Sequence, residues 1–326
     1  PTKLKKHIFG LDVEGLRDLV KRYCVIADVY VETDEPCVGI KLDKLIFPIG
    51  SFRAYLTTEE LKYLLDRDQV KEVYEVAVYD KAKIFERYVD FFYSLKRRYK
   101  EEGNQIYYMI TKLFLNSLYG KFGQKVEIFE QIGEFENGVF ANEKIWDKEA
   151  QEWCHTVILD GKIYEKVGED EGFDSFVAIA SEVTANARME LWRYMREAGL
   201  ENVYYCDTDS LLVNQDGYER LERYIDDYEL GKLSLELETD DIEIRGAKDY
   251  RFGKKRKLKG IKENAIRLGE NVYQQEQFLK ARSVIKLGVT DKAVVKTVTK
   301  ELKHSYDKGI VLDNGRVIPF PLLQIS

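Results

Sequence analysis

The sequence predicts an α+β fold. Two observations carry this. β-rich runs cluster at 23–32, 37–42 and 73–80, while long helical periods stand together at 83–120. The two kinds of segment do not alternate as strand–helix–strand units, so a parallel doubly wound sheet is not expected.

Taken in order, "YCVIADVYVE" (23–32), "CVGIKL" (37–42) and "VYEVAVYD" (73–80) alternate or carry β-branched residues, as strands do. Between them, "TTEELKYLLDR" (57–67) opens with Thr and two Glu, a helix start. Apolar residues at 84, 85, 88, 92, 95 and 99 follow a helical period, which "EEGN" (101–104) interrupts. A second helix runs from 105 to a stop at Gly120, so the pair reads as an antiparallel helical hairpin. Residues 124–173 form an excursion rich in Gly, Glu, Asp and Lys, in which Asp160-Gly161 suits a two-residue hairpin turn. Residues 176–198 return to helix and end at Gly199. A strand, a turn and a returning strand follow over 202–214.

The 326 residues, 44% apolar and 33% charged, suffice for a buried core. No apolar run reaches the length of a membrane span. Cys24, Cys37, Cys154 and Cys206 form no C-x-x-C pair, which favours a reducing compartment without structural zinc or bridges. The net charge of −7 argues weakly against a nucleic-acid partner, but its distribution is uneven. Residues 236–243 hold five acids, whereas residues 245–267 hold ten bases against two acids.

Three constellations point to chemistry. In "NVYYCDTDSLLVN" (202–214), Asp207 and Asp209 stand two apart in a run that reads as buried strand. Two such carboxylates can converge on one Mg²⁺ or Mn²⁺, a hard cation that suits oxygen ligands and substrate phosphates. A hairpin tip with both acids in water is the plainer alternative. In "KLFLNSLYG" (112–120), Lys112, Asn116 and Tyr119 fall on one helical stripe, where a cation, an amide and a ring could meet phosphate, sugar and base. The same stripe would also suit an exposed helix end. In "GAKDYRFGKKRKLKG" (246–260), Lys248, Lys257 and Lys259 with Tyr250 and Phe252 suit contact with a phosphate backbone. A solvated basic face would look alike.

In this order, these residues resemble a family B DNA polymerase. "KLFLNSLYG" fits the K-x-x-x-N-S-x-Y-G of motif B, "YCDTDS" fits the Y-x-D-T-D-S of motif C, and "KDY" (248–250) fits the K-x-Y motif. The long segment before motif B and the excursion at 124–173 resemble the protein-primed branch of phages and linear plasmids.

The resemblance implies a right-hand architecture. Residues 1–82 would be palm-associated with a first insertion, 83–120 helical fingers, 121–246 palm with a second insertion, and 247–326 a thumb. Asp209 would be the main metal ligand and Asp207 its support. Lys112 and Lys100 would hold the nucleotide's triphosphate, and Asn116 and Tyr119 its sugar and base. Tyr205, Lys248 and Tyr250 would hold the primer end. Implied partners are primer–template DNA, a deoxynucleoside triphosphate and a terminal priming protein, met in the cytoplasm of a host cell.

No D-x-x-S-L-Y-P string, which would supply the family's motif A carboxylate, and no exonuclease motif occurs in the 326 residues. The expectation is therefore a C-terminal polymerase fragment that begins after motif A and does not extend primers alone. A non-catalytic DNA-binding subunit is the alternative. A metal-dependent glycosyltransferase, which shares D-x-D, is disfavoured by the lysine-rich segment and by "KLFLNSLYG".

Overall fold

The computed structural model describes residues 1–147, 152–278, 295–302 and 306–323. The chain forms two compact units. The first holds Pro1–Gly123, Phe176–Asp240 and Ser305–Ser326, and the second holds Gln124–Ser175 and Asp241–His304. This division departs from a continuous thumb over 247–326: the excursion and the basic region share one unit, and the C-terminal strand joins the other. Parts of that expected thumb (279–294, 303–305 and 324–326) lie outside the described residues.

In chain order, β1 (Leu4–Phe9) leads to α1 (Val13–Arg22), β2 (Cys24–Thr33) and a short ribbon, β3 (Ile40–Lys41) with β4 (Leu45–Ile46). Then come β5 (Ile49–Thr57), α2 (Thr58–Leu65), β6 (Val70–Tyr79), α3 (Glu86–Glu101) and α4 (Gln105–Phe122). Strands β7 (Lys125–Glu134), β8 (Ala141–Asp147), β9 (Glu152–Leu159) and β10 (Lys162–Glu171) belong to the second unit. The first unit resumes with α5 (Val177–Ala198), β11 (Val203–Asp207), β12 (Ser210–Val213) and α6 (Gln215–Leu221). The second unit then adds β13 (Ile242–Gly246), β14 (Asp249–Phe252), β15 (Lys255–Lys257), β16 (Ile266–Arg267), β17 (Val272–Phe278) and β18 (Val295–Glu301). The ribbon β19 (Ile310–Val311) and β20 (Val317–Ile318) and the strand β21 (Pro321–Leu323) close the chain in the first unit.

The first unit is built on a five-stranded sheet of order β1-β6-β2-β5-β21, antiparallel except where β21 runs beside β5. Strand periodicity sends Val25, Ala27, Val29 and Val31 of β2 to one face, where all are buried with Phe52, Ala54 and Leu56 of β5. Helices α1, α2 and α5 cover that face with Leu16, Val20, Leu61, Leu64, Leu65, Met189 and Trp192. Each such fully buried side chain contributes about 1.5–3 kcal/mol over leaving it in water.

Helix α1 falls in a stretch where only strands and turns were expected. Its signals are the N-cap Asp12, which accepts from the Gly15 N–H at 2.8 Å, and apolar residues at Val13, Leu16, Leu19 and Val20. Helix α2 starts with a capping box: the Glu60 carboxylate accepts from the Thr57 N–H at 3.0 Å. The same carboxylate, 2% exposed, accepts from Arg188 of α5 at 3.1 Å, so one buried acid both caps α2 and ties it to α5. On the opposite face of the sheet, the buried Asp28 carboxylate accepts from Arg53 Nε at 2.8 Å. Arg53 in turn lies over the Tyr74 ring, 4.2 Å from its centroid.

In the second unit, the order β7-β10-β9-β8 makes an antiparallel sheet. Asp160 and Gly161 join β9 to β10 with φ of 50° and 69°, the paired positive values a tight hairpin requires. Two three-stranded sheets, β13-β14-β15 and β16-β17-β18, complete it.

Candidate active site

The acidic ribbon rests on a small core. Val203, Leu211 and Val213 pack with Tyr194 and Ala198 of α5 and Leu221 of α6. Two asparagines clamp its open end. Asn202 donates to the Ala198 carbonyl at 2.9 Å and accepts from the Asn214 side chain at 2.9 Å. Asn214 also caps α6, accepting from the Gly217 N–H at 2.9 Å.

Along the ribbon, β11 pairs antiparallel with β12, with Asp207 opposite Ser210. Thr208 and Asp209 are the whole connection. Thr208 has φ of 60°, and the Asp209 N–H reaches the Asp207 carbonyl at 2.7 Å. This is a γ-turn of the rare positive-φ kind, centred on a β-branched residue. The Thr208 hydroxyl donates to Asp207 Oδ1 at 3.0 Å, and the Ser210 hydroxyl donates to the Asp207 carbonyl at 3.1 Å. Asp207 is thereby held half-buried while Asp209 is exposed.

This corrects the expectation of a buried strand around the acids. The ribbon is two-stranded, and its residues alternate between half-buried and exposed along β11. A two-stranded ribbon has only one face to bury. Burial pushes the neighbouring Cys206 thiol pKa upward, and the Asp207 charge adds to it. Tyr306 lies near this thiol, and its phenol pKa is also raised, chiefly by burial.

Lys100, Lys112, Asn116 and Tyr119 lie on the helical hairpin, and all four are exposed. Aromatic pairs close the hairpin along its length. Phe85 meets Phe122 at 5.3 Å, Phe92 meets Phe114 at 5.1 Å, and Tyr99 stacks on Tyr107 at 5.2 Å between ring centroids. Spacings of seven and eight residues keep these rings on the facing stripes of two antiparallel helices. Helix α4 runs through Gly120 to Phe122, two residues beyond the expected stop, and Gly123 takes the C-cap. Helix α5 packs against both α4 and β12, so it is the common support of the fingers hairpin and the acidic ribbon.

Tyr205 is half-buried on β11, in the first unit. Lys248, Tyr250, Lys257 and Lys259 belong to the second unit. Ala247 and Lys248 form the two-residue loop between β13 and β14, and Lys248 has φ of 59°. Tyr250 faces Lys257 directly across the β14–β15 ladder. Four non-glycine residues among those described have positive φ: Asp68, Asp160, Thr208 and Lys248. Two of them sit within the motifs, and such outliers concentrate where geometry serves function.

Two adjacent carboxylates supply hard oxygen donors that fit a divalent cation bound mainly through a nucleotide's phosphates. Among the described residues, no third His, Cys, Asp or Glu joins them in a metal-binding cluster. The sequence reading missed Thr208 as the residue that sets the turn, although its place between the two acids was a signal. It also missed the Asn202–Asn214 clamp, which twelve intervening residues hide.

Residues 18–198 match the family model described as DNA polymerase type B, organellar and viral, a span that holds the fingers hairpin and ends before the acidic turn. A probable DNA polymerase of Neurospora intermedia is 26% identical over 236 residues, covering 70% of this chain and 23% of that protein. The DNA-directed DNA polymerase of Enterobacteria phage PRD1 is 32% identical over 166 residues, covering 51% of this chain and 28% of that protein. Among solved structures, Phi29 DNA polymerase complexed with primer-template DNA and incoming nucleotide aligns with a TM-score of 0.54 at 15% identity. That alignment covers 92% of this chain and 54% of the Phi29 chain. The chain thus spans under a third of these two sequence relatives and about half of the structural one. The fold it shares with Phi29 polymerase is the α+β polymerase fold. With more than half of its residues matched by the family model, the chain belongs to the organellar and viral type B DNA polymerases.

Proposed function

We propose that this chain carries the nucleotide and metal site of a DNA-directed DNA polymerase, which joins deoxynucleotides to a primer 3′-hydroxyl or to a priming protein's hydroxyl. The observation that carries this reading is the pair Asp207 and Asp209 on a strained γ-turn, in a chain of this family. When bound there, Mg²⁺ or Mn²⁺ supplies activation of the attacking hydroxyl and charge neutralisation on the leaving pyrophosphate. Asp207, fixed by the Thr208 hydroxyl, keeps one carboxylate oriented, and the exposed Asp209 presents the other to an arriving nucleotide.

Lys112 and Lys100 would balance the triphosphate charge from the fingers, as exposed cations on helices locked by their aromatic pairs. Asn116 and Tyr119, one and two turns further along α4, would line the sugar and base. Tyr205 on the ribbon, with Lys248 and Tyr250 on their own hairpin, would hold the primer end, and Lys257 and Lys259 would meet backbone phosphates. We place residues 1–82 with the palm and a first insertion, 83–120 with the fingers, 121–246 with the palm and a second insertion, and 247–326 with the thumb.

Phosphoryl transfer by two metals needs more carboxylate than two side chains give. The 326 residues alone are therefore expected to bind substrates without extending primers. That gap favours a second reading, a DNA-binding module with no nucleotide site of its own. Titration with Mn²⁺ and a deoxynucleoside triphosphate separates the two. The polymerase reading expects nucleotide-dependent Mn²⁺ binding that Asp209→Asn removes. If the chain binds primer–template but never Mn²⁺ with nucleotide, the second reading stands and the first falls.

A further inference from the structure

We propose that Arg256 and Arg267, with Arg245, form a second phosphodiester site on the sheet β13-β14-β15, on the face opposite Tyr250 and Lys257. The proposal rests on the DNA-binding reading above and adds residues to it that no motif contains.

Strand register places the site. Glu243, Arg251 and Arg256 stand in one cross-strand row, and Ile244, Tyr250 and Lys257 stand in the next. Successive rows of a sheet point to opposite faces. The first row borders a polar cleft of about 190 Å³ lined by Glu243, Arg245, Asp249, Tyr250, Arg251, Arg256 and Arg267. Four guanidinium groups thus share one small space with two carboxylates.

The charges do not cancel evenly. Arg245 pairs with Glu243 at 2.8 Å, and Arg251 pairs with Asp241 and more distantly with Glu243 at 3.6 Å. Arg256 and Arg267 donate only to neutral oxygens among the described residues. Arg256 reaches the Tyr273 hydroxyl at 3.2 Å, and Arg267 reaches the carbonyls of Gly269 and Glu270 at 2.9 and 3.0 Å. Arg251 and Arg256 are also direct cross-strand neighbours, an arrangement of like charges that disfavours the pair. An anion in the cleft relieves that repulsion and gives both unpaired forks an acceptor. A planar guanidinium fork matches two phosphate oxygens at once. Because the cleft faces away from Tyr250, the phosphate it takes belongs to a stretch of nucleic acid other than the primer end.

The test uses the full chain and primer–template duplex bound across a salt series. The variants Arg256→Gln and Arg267→Gln should each weaken binding several-fold at moderate salt. Each should also lower the slope of log K against log[salt] by about one, the share of one phosphate contact. Arg256→Lys should keep the slope while losing part of the affinity. Labelling of the unaltered protein with phenylglyoxal, read by mass spectrometry, avoids any folding defect in the variants. DNA should protect Arg256 and Arg267, and inorganic phosphate at equal phosphate concentration should not. Unchanged slopes and equal labelling with and without DNA overturn the site while leaving wild-type DNA binding, and so the proposed function, intact. Protection by inorganic phosphate alone assigns the cleft to a free anion and overturns the phosphodiester. Absence of salt-dependent DNA binding by the wild type overturns both readings.

Discussion

Asp209 donates its backbone N–H to the carbonyl of Asp207 at 2.7 Å, across a single residue. The two acids are therefore locked together by the main chain, whatever their side chains do. Thr208 bears the conformational cost, with φ of 60° on a β-branched residue. Replacing it with Gly removes about 1–2 kcal/mol of backbone strain and loses one hydrogen bond worth about 1 kcal/mol. Replacing it with Val keeps the strain and loses the bond. Chemical denaturation should rank Thr208→Gly above Thr208→Val by about 1–2 kcal/mol. Equal stabilities would mean that the turn is not left-handed in solution.

Asp209→Asn tests the acidic pair without disturbing that turn, because the backbone bond remains. Nucleotide-dependent Mn²⁺ binding should fall at least tenfold, while duplex binding in a filter assay stays within twofold. Equal loss of both would indicate misfolding and not a missing ligand.

The fingers hairpin depends on its rings. Phe92 contacts Tyr88, Phe91 and Phe114, and it is half-buried. Phe92→Ala should cost about 1–3 kcal/mol, less than a full core truncation. Hydrogen exchange should accelerate over 86–122 and stay unchanged in β2 and β6. Uniform acceleration throughout the first unit would show that the hairpin is not a separate cooperative element.

Glu182 of α5 gives a pH prediction. It is 8% exposed and borders a largely apolar cavity of about 390 Å³ with Ile84, Phe85, Val89, Ile179 and Val183. Burial raises its carboxyl pKa, outweighing the hydrogen bonds it accepts from Thr58. The folded state then holds the proton more tightly than the unfolded state. Its stabilising contribution is complete below the unfolded carboxyl's pKa and is lost as pH rises through the folded one. Glu182→Gln, neutral at every pH, should raise Tm at pH 7, and the difference should vanish by about pH 4. A constant Tm difference across that range would show that the carboxyl is not desolvated.

Much of the fold was legible where pattern and propensity agreed. β2 and β6 alternate clearly, Thr57 and Glu60 announce α2, and Asp160-Gly161 specifies its turn. Helix α1 was hidden because its ten residues sit between two strong strands, and only Asp12 marks its start. The ribbon's exposure was hidden because a run such as "LLV" reads as buried in any setting. Whether a second sheet covers it is a question of topology. The arginine cleft was invisible for a related reason: a basic run gives its net charge but not which cations already have partners.

By itself, the sequence determined the local chemistry: two carboxylates across one threonine, a stripe of Lys, Asn and Tyr on a helix, and a basic stretch punctuated by aromatic rings. Spacing along a strand or helix fixes which neighbouring side chains can act together. Only the tertiary structure decided that α5 supports both the fingers hairpin and the acidic ribbon, that Glu60 serves α2 and α5 at once, and that Arg251 opposes Arg256. Those relations join residues far apart in the chain or set by strand register. They follow from which surfaces could be buried together, a choice made by the whole chain and not by any short stretch of it.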